Sequence, residues 1–93
     1  MPDSRNSAVT VHLVYLARLR EAFGRAGEPL TLPGADSSVA ALLAALRERG
    51  GSFGLELAAG RAVRVAVNHA LVTNGAALRD GDEVALFPPV TGG

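Results

Sequence analysis

The chain contains no cysteine, which removes disulfides, thiolate nucleophiles and cysteine-based metal sites together. It contains no lysine either: all nine basic residues are arginine. No side-chain amine is available to accept an acyl group, so copies of this chain could not be joined to one another through lysine. No apolar run approaches the roughly 18 residues of a membrane span. The opening MPDSRNSAV has no basic segment followed by an apolar stretch. No secretory signal is therefore expected, and the expected compartment is the cytoplasm. No glycine-rich phosphate loop opens a helix, because RERGGSFG follows a helical pattern instead. Formal net charge is zero, with nine acidic residues against the nine arginines, and no basic stripe suggests nucleic acid. His12 and His69 lie far apart without a carboxylate at ligand spacing, so no metal site is expected. Few routes to catalysis remain.

What is present describes one small domain. Of 93 residues, 48% are hydrophobic and 19% charged, which fits a folded globule and not a disordered chain. A chain of this size buries roughly 60–65% of the surface its unfolded form exposes, enough for a single modest core.

VTVHLVYL alternates, with Val9, Val11, Leu13 and Tyr15 on one face, and reads as a strand. ARLREAF gives a short helical turn or loop before Gly24. EPLTLPG is a second strand, which Pro29 and Pro33 confine to an edge. DSSVAALLAALRERGG is the clearest element. Asp36, Ser37 or Ser38 can cap it, Val39, Leu42, Leu43 and Leu46 form one apolar stripe, and Gly50 and Gly51 end it. After a connecting stretch, VRVAVN alternates, NHALV gives a turn and a brief strand, and EVALF is the last strand. Asn74-Gly75 and Asp80-Gly81 are turn signals between them.

Strand, strand, helix, strand, short strand, strand leaves one helix to cover a sheet. The economical arrangement is a mixed sheet of about five strands packed on one main helix, with the first and last strands side by side in the centre. That is an α+β, β-grasp fold like ubiquitin's. The expected organisation is a flexible leader over 1–8, the β-grasp domain over 9–87 and an extended tail over 88–93. If Val63, Val65, Val67, Val84 and Leu86 face the helix, Arg64, Ala66, Ala85 and Phe87 face away. Phe87 is then expected as an exposed aromatic just before the tail.

The tail PPVTGG can reach about 20 Å. Pro88 and Pro89 stiffen its base, which lowers the entropy lost on threading it into a channel. Freezing the four residues beyond them costs roughly 4–8 kcal/mol. Gly92 and Gly93 carry no side chain, so a narrow channel admits them. The reactive group of such a tail is the carboxylate of Gly93. It becomes electrophilic once adenylated, and a sulfur nucleophile can then displace AMP.

LARLREAFG, VAVNHALV and LRDGDEVALFPPVTGG together resemble the small subunits of molybdopterin synthase, the MoaD family of sulfur carriers. The resemblance runs from about Val9 to Gly93 and is most specific in the last block. It implies a β-grasp fold and a carrier whose Gly93 is adenylated and converted to a thiocarboxylate. That sulfur goes to cyclic pyranopterin monophosphate to build the molybdopterin dithiolene. It further implies that Phe87, Pro88, Pro89, Val90, Thr91 and Gly92 dock the partner. The implied partners are a MoaE-like large synthase subunit in a heterotetramer, a MoeB-like ubiquitin-activating-type adenylyltransferase and a sulfur donor. Catalytic residues are expected on the large subunit, so this chain is not itself an enzyme. It is expected to bind no cofactor, ATP and Mg being used by the activating enzyme. A carrier for the thiazole of thiamine (ThiS-like) and a ubiquitin-like protein modifier are the alternatives.

Overall fold

The computed structural model describes residues 8–58 and 61–89. In chain order the elements are β1 (Val9–Tyr15), α1 (Arg18–Phe23), β2 (Gly27–Leu32), α2 (Val39–Arg47) and α3 (Gly51–Glu56). They continue with β3 (Arg64–Val67), β4 (Ala70–Val72) and β5 (Glu83–Phe87). The strands form one sheet in the order β2-β1-β5-β3-β4. β1 and β5 run parallel in its middle, and the other neighbours pair antiparallel. This is the β-grasp arrangement that the element order implies.

Alternation along the strands decides what is buried. Val11, Leu13 and Tyr15 of β1, Val65 of β3, and Val84 and Leu86 of β5 turn into the core. There they join Val39, Leu42, Leu43 and Leu46, the stripe of α2. Each such residue, fully buried, contributes about 1.5–3 kcal/mol from the apolar surface it removes from water. Ser38 is the residue that caps α2: it has extended backbone, and its Oγ accepts from the Ala41 N–H at 3.1 Å. β2 lies at the sheet edge with Pro29 exposed, where its missing N–H disrupts no ladder.

The helices differ from the sequence-based expectation. ARLREAF makes a full short helix, α1, closed by Gly24 at φ 72°. The connecting stretch beyond Gly50 contains a third helix, α3, where none is expected. Its first four residues, Gly-Ser-Phe-Gly, are poor helix formers. Packing from outside supports it. The Phe53 ring stacks on Phe23 with centroids 4.1 Å apart, and Tyr15 meets it edge-on at 6.1 Å. The Arg49 guanidinium lies over the same ring, 4.8 Å from its centroid.

A polar knot closes this end of the core. Tyr15 is fully buried, yet its hydroxyl donates to Glu28 Oε2 at 2.6 Å. Arg49 donates to that oxygen at 2.7 Å, and Arg25 donates to Oε1 at 3.1 Å. The phenol thus keeps a partner inside an apolar environment, and β1, β2 and the α2–α3 link are tied together.

Candidate functional site

β5 carries the chain from the core to the base of the tail, and its start is firmly clamped. In the Arg79–Glu83 turn, Gly81 takes φ 90° and donates its N–H to the Thr10 carbonyl at 2.8 Å. Asp80 Oδ1 accepts from the Thr10 N–H, and Asp82 Oδ2 from the Arg79 N–H, both at 2.8 Å. On the other side, Asn68 donates to Asp82 Oδ1 at 2.9 Å and accepts from the Glu83 N–H at 3.0 Å. The Asp-Gly-Asp-Glu block therefore fixes the register of β5 against both β1 and the β3–β4 turn. Register in turn fixes which way every residue up to Phe87 points.

On the side of the sheet away from α2, the pairing lines up Val14, Ala85, Ala66 and Leu71 in one row across β1, β5, β3 and β4. Beyond that row the Leu16 N–H donates to the Leu86 carbonyl at 3.1 Å, so Leu16 comes level with Phe87, which is opposite Arg64. Leu71 is 68% exposed and Leu16 43%. The small side chains Ala85 and Ala66 between them leave an open apolar face with the tail at one end. At the other end His12 is level with Glu83, which His69 Nε2 approaches to 3.7 Å.

Phe87 lies on the expected face but is half-buried, not exposed. Parity gives the side of a strand, whereas cover by neighbours depends on contacts that alternation does not encode. Pro88 and Pro89 follow it, also half-buried. Val90, Thr91, Gly92 and Gly93, the rest of the predicted docking tail and its reactive residue, lie outside the described residues, as do residues 1–7 of the expected leader. Leu16 and Leu71 were not among the predicted site residues. Leu16 directly follows the buried Tyr15, so alternation would have found it, whereas Leu71 reaches this face only through the β3–β4 pairing that sets it opposite Ala66.

Residues 13–93 match the model of the ThiS family. The chain belongs to that family. It is 32% identical over 83 residues to the molybdopterin synthase sulfur carrier subunit of Haemophilus influenzae, covering 89% of this chain and 99% of that protein. Among solved structures it resembles the molybdopterin converting factor subunit 1 of Pyrococcus furiosus (TM-score 0.74, 30% identity, 88% of this chain and 99% of that one). It also resembles the small archaeal modifier protein SAMP1 of Haloferax volcanii (TM-score 0.71, 26% identity, 90% and 99%). A third likeness is to a chain solved in the complex of subunits 1 and 2 of the Helicobacter pylori molybdopterin-converting factor (TM-score 0.58, 28% identity, 91% of this chain and 100% of that one). No helix among the described residues is long and apolar enough to cross a membrane.

Proposed function

We propose that this chain is the sulfur-carrier subunit of a molybdopterin synthase. The observation that carries the reading is the course of β5: the clamped central strand delivers Phe87, Pro88 and Pro89 at the rim of an open apolar face, directly before Val90-Thr91-Gly92-Gly93. A carrier needs this division of labour, with a rigid body to dock and a thin segment to deliver a reactive end.

In this reading the Gly93 carboxylate attacks the α-phosphorus of ATP on a MoeB-like activating enzyme, and pyrophosphate leaves. A sulfide-level nucleophile, HS⁻ or its equivalent from the sulfur donor, then attacks the acyl carbon and displaces AMP, leaving a terminal thiocarboxylate. The face formed by Leu16, Val14, Ala85, Ala66 and Leu71 packs on the large synthase subunit while Phe87 to Gly92 thread toward its active site. There the thiocarboxylate sulfur bonds to cyclic pyranopterin monophosphate, and water then cleaves the acyl C–S bond, leaving the sulfur on the pterin and restoring the Gly93 carboxylate. The Helicobacter pylori relative, solved as a complex of subunits 1 and 2, supports a large-subunit partner. In this reading the chain needs no cofactor of its own and supplies no catalytic side chain, ATP and Mg serving the activating enzyme.

The test is the intact mass of the protein after incubation with ATP, the activating enzyme and a sulfur source. With no cysteine in the sequence, replacement of one oxygen by sulfur places the modification at the terminal carboxyl. Deleting Gly93 should abolish the gain. The likeness to SAMP1 favours protein modification as a second reading. Isopeptide adducts on other proteins, without sulfur incorporation, would decide for it.

A further inference from the structure

Beside the tail's base, on the helix side of the sheet, lies a hollow of about 170 Å³ lined by Leu43, Arg47, Leu57, Arg61, Val63 and Asn74. Val63 directly precedes Arg64, the residue opposite Phe87, so hollow and tail share one rim of the sheet. Leu43 and Leu57 are buried and make an apolar floor. Two guanidinium groups stand over it.

Their charge is incompletely answered. Arg61 Nη2 pairs with Glu56 Oε1 at 3.1 Å, but Arg18 Nε claims the same oxygen at 3.3 Å. One carboxylate therefore serves two arginines. Arg47 spends its Nε on a neutral group, the Leu57 carbonyl, at 2.8 Å, and no ion pair joins it to a carboxylate among the described residues. That bond anchors the guanidinium at the hollow and leaves the terminal nitrogens, the fork that binds carboxylates bidentately, for another acceptor. The net result is a positive, partly enclosed recess in a chain whose formal charge is zero.

We propose that this recess receives an acidic side chain of the protein that accepts the tail, forming an oriented ion pair with Arg47 and Arg61. The inference rests on the carrier reading above. A threaded tail brings the partner's surface against this rim, and a carboxylate there would fix the rotation of the carrier about its own tail. The apolar face alone specifies that angle poorly.

The experiment titrates the full-length carrier into the large synthase subunit at low and high salt, comparing the unmutated protein with the double variant Arg47→Gln, Arg61→Gln. Arg79→Gln, in the turn at the other end of β5, is the control. The double variant should bind about tenfold or more weakly at low salt and lose most of its salt dependence, while the control binds normally. Thermal melts of all three verify folding, and the single variant Arg61→Gln, which leaves the Arg47–Leu57 bond intact, serves if the double variant unfolds. Unchanged affinity and salt dependence in a folded variant would overturn the inference while leaving the carrier reading untouched. Inorganic phosphate, followed by NMR, supplies the other arm. Competition between phosphate and the partner supports a shared oxyanion site. Phosphate binding that leaves partner affinity unaltered identifies a small-anion site and overturns the proposal. If the unmutated carrier binds no large subunit at all, the carrier reading fails first and the inference falls with it.

Discussion

The Tyr15 hydroxyl and the Glu28 carboxylate sit 2.6 Å apart, one on the central β1 and the other on the edge strand β2. This contact holds the only polar atom of a fully buried ring, and Glu28 in turn holds Arg25 and Arg49. Tyr15→Phe removes the donor but leaves the carboxylate its two arginines. The expected loss is about 1 kcal/mol in urea unfolding. Glu28→Ala strands the buried phenol and should cost more, about 2–3 kcal/mol. Equal losses would mean that the phenol finds another partner.

The same pair predicts the pH profile of stability. Burial works to raise the Glu28 pKa, but hydrogen bonds from Arg49 and Tyr15 and the charges of Arg49 and Arg25 outweigh it and hold the carboxyl below its usual range. Its stabilisation is therefore present above the unfolded value of about 4.3 and is lost as pH falls through the lower folded value. Tyr15 behaves oppositely. Burial, then the Glu28 hydrogen bond and charge, push the phenol far above its ordinary range. The neutral phenol stabilises the fold up to about pH 10, and that contribution is lost at higher pH. Thermal melts across pH should show both limbs. Glu28→Gln should flatten the acid limb and Tyr15→Phe the alkaline one.

Gly27→Ala should destabilise through space alone. A Cβ at Gly27 would run into the Leu13 carbonyl oxygen, a backbone atom that cannot rotate away. β2 would have to shift off β1, at about 1–3 kcal/mol as for other overpacked sites. Gly75→Ala, where a Cβ would meet nothing within 4 Å, is the matched control and should be near neutral.

Leu71→Ser separates docking from folding. At 68% exposed, Leu71 contributes little to the core, so chemical denaturation should change by about 0.5 kcal/mol or less. Affinity for the large subunit should fall several-fold, because the variant breaks the apolar row. Phe87→Ala should weaken the same binding while also costing some stability, since the ring is half-buried.

Much of the fold follows from local pattern. The stripe of α2, the Pro29 edge and the parity of β3 and β5 are each set by neighbours a few residues away, and periodicity reports them. The central pairing of β1 with β5 belongs to the β-grasp arrangement that the element order suggests, since one main helix covers a sheet on one side only but does not choose which strands are neighbours. What escaped depends on distant partners. α3 begins in residues that disfavour a helix and persists because Phe53 finds Phe23 and Tyr15. Glu28 looks like any exposed strand carboxylate until the fold brings it to Tyr15. The hollow at Arg47 and Arg61 joins residues from α2 and the loop before β3, which no motif spans. The tail motif stands out in the sequence because its residues are consecutive, though 90–93 lie outside the described residues.

The clamped central strand has a mechanical consequence. A pull on the tail acts along β5, parallel to the strand and across its ladders with β1 and β3. The hydrogen bonds to β3 lie perpendicular to the load and those to the parallel β1 are slanted across it, so both ladders must be sheared together, not peeled one bond at a time. Force applied through Pro88 and Pro89 therefore meets the stiffest direction of the molecule. A partner drawing on the tail would load the sheet through β5 as a unit and draw the intact body toward itself.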